Sequence, residues 1–282
     1  MTALRQNFIQ QMELKGRSPK TINTYVHVIS KLSRFYNLSP LKISTQQIRD
    51  YLHYQIKNKL LCEKTINQHI GALKTFYKHM LPESDIMNGI TSMKEPSVLP
   101  VVLSKTEIAR LLEAPNNIKH RAILEVLYSS GIRLQECCDL ELCDVIRERN
   151  LLHIKSGKGK KERYTIISNK ALKTLTFYYY SCRPQKYLFE GFYGKQYSKR
   201  SVEKLVSAAA QKAGIKKNVS PHILRHSFAT HLHENGVSLQ IIQKLLGHTD
   251  IKTTTIYSHI STQSISAVVN PLDCIISGKE QL

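Results

Sequence analysis

Ser220 followed by Pro221-His222-Ile223-Leu224-Arg225-His226-Ser227-Phe228-Ala229-Thr230-His231 is the stretch from which the rest of the chain is read. Proline suits the first helical position, where its missing N–H would have no partner and its φ is already set. The spacing predicts a helix over 221–235, stopped by Gly236. His222 and Arg225 are three apart and share a face. The unpaired N–H groups and positive dipole end of such a helix favour a phosphate nearby. A capped surface helix with polar side chains fits the same residues. Just downstream, 239–246 reads as a shorter helix ended by Gly247, which leaves His248 at a helix–loop junction. Tyr257 follows in Thr253-Thr254-Thr255-Ile256-Tyr257. A tyrosine there is either half-buried packing or a nucleophile, and a nucleophile needs activation because a phenol of pKa near 10 is almost wholly protonated at neutral pH.

Upstream, 151–155 and 163–167 are short strand candidates on either side of Ser156-Gly157-Lys158-Gly159-Lys160-Lys161, a hairpin with a glycine-rich tip. Lys155, Lys158, Lys160, Lys161 and Arg163 crowd it against the single Glu162. Gly157 and Gly159 strip side chains from both sides of Lys158, so its ammonium can approach a backbone closely. The bland alternative is a solvated basic loop. Gly-Lys-Gly lacks the GxxxxGK[ST] spacing, so nucleotide hydrolysis has no support. Further upstream, Gly131-Ile132-Arg133-Leu134-Gln135-Glu136 sets an arginine after a glycine break with a carboxylate three residues on. That is a held phosphate clamp or a surface ion pair.

The remaining sequence frames these features. The chain has 282 residues, enough for about two domains. Its 41 basic and 21 acidic residues leave a net charge of +20, which points to a polyanion, with an anionic membrane surface as the rival. Residues 1–92 read as about four helices. One opens around Phe8 and Met12; Ser18-Pro19 starts a second carrying Ile22, Tyr25, Ile29 and Leu32. A Ser44/Gln47 capping box precedes Ile48, Leu52 and Ile56, and a fourth helix holds Ile66, Ile70, Leu73 and Phe76. Residues 93–100 read as a linker, 101–270 as a second domain and 271–282 as a tail. In the second domain, further helices are expected after the Ser104/Glu107 capping box, around Ile123 to Leu127, and over 169–182 and 200–213. Both halves carry a basic excess, so a two-domain clamp around one duplex is possible. The fold expected is mainly α with a small β-sheet (α+β).

Taken in order, Arg133, Lys158, His222-x-x-Arg225, Leu-Gly-His248 and Tyr257 resemble the tyrosine recombinase/integrase family, most closely its Xer-like branch. The resemblance spans the chain: a helical, SAM-like core-binding domain first, a catalytic domain second. It implies a site-specific DNA recombinase. Arg133, Arg225 and His248 would stabilise the charge on the phosphate. Tyr257 would attack to form a 3′-phosphotyrosyl bond, Lys158 would protonate the leaving 5′-oxygen, and His222 would manage the tyrosine proton. Glu136 would support Arg133. Lys20, Lys64, Lys155, Lys160, Lys161 and Arg163 would contact DNA, though solvated lysines explain Lys20 and Lys64 equally well. Neither a metal nor another cofactor is implied. Double-stranded DNA with paired sites, a homo-tetramer acting through a Holliday junction, and a second recombinase or accessory protein are the implied partners. The tail after Tyr257 would pack on a neighbouring protomer or on its own chain.

Rival readings are a type IB topoisomerase-like relaxing enzyme and a non-catalytic DNA-binding relative. His222 at the HxxR position and the compact helical first domain favour the recombinase over the former; the filled set of six positions disfavours the latter. His222 and His226, four apart, suit a metal-ligand pair, but no third ligand is nominated. Cys137, Cys138 and Cys143 read as small core residues. The six cysteines lack CxxC spacing, and residues 1–20 lack an apolar run of signal length. The expected place is the cytoplasm, at the nucleoid.

Overall fold

A computed structural model describes residues 3–96, 100–155 and 162–247. The chain divides into two compact units, 1–98 and 99–282.

The first unit is built of helices α1 (Ala3–Leu14), α2 (Pro19–Tyr36), α3 (Thr45–Lys57) and α4 (Glu63–Met80). Ser18 caps α2 by accepting from the Thr21 N–H, with Pro19 in the first turn, and the Ser44/Gln47 capping box starts α3. The apolar stripes meet as their spacing requires. Phe8 and Met12, Ile22, Ile29 and Leu32, Ile48 and Leu52, and Ile66, Ile70, Leu73 and Phe76 are all buried in one core. Phe8 and Phe76 meet edge to face at 5.2 Å. Residues 93–95 belong to this unit. The Asn67 side-chain amide donates to the Met93 carbonyl (2.9 Å) and to Glu95 Oε1 (2.9 Å), and its oxygen accepts from the Met93 N–H (2.7 Å). The stretch expected to be linker from residue 93 is therefore tied to α4 at its start.

The second unit runs α5 (Lys105–Glu113), α6 (Ile118–Ser130), α7 (Leu134–Asp139), β1 (Val145–Ile146), β2 (Leu151–Ile154), β3 (Arg163–Ile166), α8 (Asn169–Cys182), α9 (Lys199–Lys212), α10 (Pro221–Glu234) and α11 (Leu239–Leu246). Helix α6 is its axis: Ala122, Ile123, Leu124, Val126 and Leu127 are fully buried, and α8 and α10 pack on it. The three strands form an antiparallel sheet in the order β1-β2-β3, with Leu152 opposite Thr165 and Ile154 opposite Arg163. Buried Thr165 donates from Oγ1 to the Ser130 carbonyl (2.8 Å), fastening β3 to the end of α6. Sequence periodicity did not disclose α7 or β1. Six and two residues are too few to establish a period.

Among the described residues, no helix is long and apolar enough to cross a membrane. Cys137 and Cys138 are buried, as small core residues should be. Cys143 is instead exposed, because it lies in the turn before β1 rather than on a helix facing the core.

Candidate active site

The site begins where α6 ends. Gly131 closes that helix in the left-handed region, φ 61°, and turns the chain so that Arg133 becomes the N-cap of α7. A Cβ on Gly131 would collide with Cδ1 of Phe228, and would lie 2.7 Å from its Cε1 and 3.0 Å from Leu246 Cδ2. Glycine is therefore required twice, for the backbone angle and for the space. A Gly131→Ala variant is expected to lose ~1–2 kcal/mol to the left-handed backbone and ~1–3 kcal/mol more to overpacking. A urea midpoint equal to wild type would refute this.

Glu136 lies three residues into α7, 5% exposed. Its Oε2 accepts from the Arg133 N–H (2.8 Å) and its Oε1 from Arg133 Nη1 (2.8 Å). Arg163, from β3, donates Nη1 to the same Oε1 (2.9 Å) and Nη2 to the same Oε2 (2.7 Å). Burial pushes this carboxyl up. The Arg163 and Arg133 hydrogen bonds, with the positive charge of Arg163, more than reverse that and bring it down to about 2.

The arginines converge on the end of α11. Arg163 Nε donates to the Leu245 carbonyl (2.9 Å), Arg225 Nη2 to Leu246 (2.7 Å) and Arg133 Nη2 to Gly247 (3.1 Å). Three successive carbonyls, the ones a helix C-terminus leaves unpaired, are thus taken by three different guanidinium groups. Arg225 also donates Nη1 to the Gly131 carbonyl (2.6 Å), so it joins the start of the Arg133 turn to α11. Gly247 caps α11 at φ 63°, and the next residue in sequence is His248.

The expected face of α10 is divided. Arg225 is buried at 2% exposure, whereas His222 is exposed. The His222 ring meets that of His226 edge-on at 4.2 Å. Burial, then the His222 and Arg225 charges, lowers His226 to about 4, so it is neutral at pH 7. Among the described residues no third donor joins this pair into a metal-binding group.

Two of the cations expected on DNA have partners within the fold. Arg163 faces Glu136. Lys155 donates to Asp144 Oδ1 (2.8 Å) and Glu141 Oε2 (3.1 Å), and so ties the base of the hairpin to the turn before β1. Lys20 and Lys64 are exposed in the first turns of α2 and α4. Lys158, Lys160, Lys161, His248 and Tyr257 lie outside the described residues. The inward orientation of Arg163 was not legible because Ile166 and Ile167 are both apolar, leaving strand parity open. Ile167 and Thr165 are the buried pair, and counting back by two from them turns Arg163 inward.

A basic chain with a helical first unit, and a second that gathers arginines shortly before a histidine and a tyrosine in sequence, points to a protein that handles a phosphate polyanion such as DNA. Residues 101–264 match the phage integrase family, and residues 4–84 match the phage integrase N-terminal SAM-like domain. The tyrosine recombinase XerD of Lacticaseibacillus casei is 38% identical, over 78% of this chain and 80% of its own. XerD of Staphylococcus saprophyticus is 33% identical over 96% and 98%. The fold is also similar to that of a lambda integrase tetramer bound to a Holliday junction, with a TM-score of 0.75, 18% identity, and coverage of 90% of this chain and 76% of that one. The chain belongs to the phage integrase family of tyrosine recombinases, on its Xer-like side. It is a site-specific recombination enzyme, of the family that cuts DNA and transfers strands.

Proposed function

We propose that this recombinase cuts DNA with Tyr257 as nucleophile and rejoins it to a partner strand. The tyrosine oxygen attacks the scissile phosphorus as the bond to the 5′-oxygen breaks. That oxygen leaves with a proton from Lys158, while His222 takes the tyrosine proton. Arg133, Arg225 and His248 meet the negative charge on the non-bridging oxygens. The phosphotyrosyl ester conserves the energy of the broken bond, so a 5′-hydroxyl from a second duplex can reverse the step without ATP. A homo-tetramer on two sites, working through a Holliday junction in the cytoplasm at the nucleoid, is the assembly this chemistry calls for. Lys20, Lys64, Lys160 and Lys161 contact the duplex. Residues 1–92 and 101–270 each bind the duplex.

The observation that supports this best is the convergence of the Arg133 and Arg225 guanidiniums on the carbonyls of Leu246 and Gly247, directly before His248 in sequence. Three of the six chemical positions, Arg133, Arg225 and His248, are thereby referred to one turn of chain, and His222 lies one turn from Arg225 on α10.

The test uses a nicked suicide duplex carrying a site selected from a random library, in EDTA. A protease-sensitive covalent adduct that maps to Tyr257 is expected. Tight site-specific binding without an adduct would mean a DNA-binding relative. Adding a second site separates strand exchange from relaxation.

A further inference from the structure

Arg163 follows Lys158 by five residues and carries a charge that suggests a phosphate contact. Its surroundings are those of an internal strut. Its side chain is 10% exposed, and all three of its nitrogens donate inside the fold: two to Glu136 and one to the Leu245 carbonyl. Glu136 in turn accepts four hydrogen bonds, two from Arg133 and two from Arg163, which fills the roughly four lone-pair sites a carboxylate offers. The room around Arg163 is equally specific. A Cβ on Gly247 would stand 2.8 Å from Arg163 Cδ and 3.0 Å from its Nε, so only glycine there lets the guanidinium lie along the end of α11.

We propose that Arg163 is a positioning residue for strand transfer: by sharing the Glu136 carboxylate and holding it to the end of α11, it sets where the Arg133 fork lies without touching DNA. The proposal rests on the assignment of Arg133 to the scissile phosphate. A carboxylate facing one arginine would pair with both of its Nη groups in a fork-to-fork contact. It would then neutralise the charge meant for the phosphate and turn the fork away. With Arg163 on its other side, Glu136 has one oxygen bond for Arg133 Nη1, and Arg133 Nη2 reaches out to Gly247. Arg163 also joins β3, at the foot of the hairpin bearing Lys158, to the turn that leads into His248.

The experiment compares wild type, Arg163→Lys and Arg163→Gln on the nicked suicide duplex. One duplex has an ordinary scissile phosphate; the other has a methylphosphonate, which lacks one non-bridging charge. Lysine keeps the charge but cannot fork, and it carries the comparison should the Gln variant fail to fold. DNA affinity and its salt slope are expected to stay at wild-type values. Adduct formation by Arg163→Lys should fall ~10²-fold on the phosphate, the scale of a misplaced catalytic group. On the methylphosphonate that deficit should shrink to within about threefold, because less charge there needs Arg133. A salt slope lower by about one in Arg163→Gln would make Arg163 a phosphate contact and overturn the proposal. So would wild-type cleavage by the Lys variant, or an equal deficit on both duplexes, which marks a general loss of structure. Absence of adduct from wild type would instead overturn the chemistry proposed above.

Discussion

A Tyr257→Phe variant is expected to bind its DNA site as tightly as wild type and to form no covalent adduct, with cleavage reduced at least ~10⁴-fold. The substitution removes one oxygen and keeps the ring, so binding contacts made by the ring persist while the atom that must bond to phosphorus is gone. The chain has 14 tyrosines, and the structure makes several of them poor candidates for this role. Tyr51, Tyr77 and Tyr178 are buried, and burial pushes each up to about 12, farther from ionisation. Tyr77 also donates its hydroxyl to the Pro40 carbonyl (2.9 Å). Tyr128 is paired with His231 Nδ1 (2.9 Å), and burial raises it too. A nucleophile needs the opposite environment, with a base at hand and cations that favour the phenolate. In sequence, Tyr257 lies ten residues beyond Gly247, the last of the three residues whose carbonyls hold Arg163, Arg225 and Arg133. An SDS-resistant, protease-sensitive band on the labelled duplex is the measurement. Its appearance with the Phe variant would mean that another residue attacks.

The parts of this molecule that were legible in the sequence are those where local chemistry and global packing agree. The Ser18-Pro19, Ser44/Gln47 and Ser104/Glu107 signals each start the helix they announce, with the capping oxygen on the expected N–H. The helix at Pro221 and the stop at Gly247 fall where the pattern sets them. The Arg133–Glu136 pair was also legible, because its partners are three apart on one turn. What could not be read was long-range pairing. Arg163 and Glu136 are separated by 27 residues, Arg225 and the Gly131 carbonyl by 94, and the Leu103 N–H donates to buried Ser227 Oγ across 124. No period or spacing encodes such contacts; they exist only once α6, α7, β3, α10 and α11 are packed. The internal partners of Lys155 and Arg163 went unread for the same reason. A count of positive charges in a loop says that an anion is wanted nearby, but not whether Glu136, Asp144 or a phosphate supplies it.

Replacing Glu136 with Gln is expected to destabilise the second unit by ~3–5 kcal/mol, the scale for removing one partner of a buried ion pair. Glutamine has nearly the same shape, so packing is kept. One of its terminal atoms, however, becomes an NH₂ group that must face guanidinium donors, and Arg133 and Arg163 lose their common counter-charge. The same carboxyl makes wild type acid-sensitive in a defined window. Its folded pKa lies below the usual 4.5, at about 2, so its contribution to stability is fully present above 4.5 and is lost as pH falls towards 2. A displacement of that size corresponds to about 3 kcal/mol. Urea unfolding at a series of pH values from 7 to 3 reads both effects. Wild type should weaken steeply below pH 5, whereas Glu136→Gln should start weaker and lose less over that range. Parallel curves would show that the acid sensitivity comes from other carboxylates, and equal midpoints at pH 7 would show that the two arginines find other partners. Cleavage by the Gln variant should fall at least ~10²-fold, because Arg133 loses the bond that orients its fork. Stability and reactivity thus depend on one carboxylate for the same reason: it is the point at which Arg133 and Arg163, each bound to the end of α11, are joined.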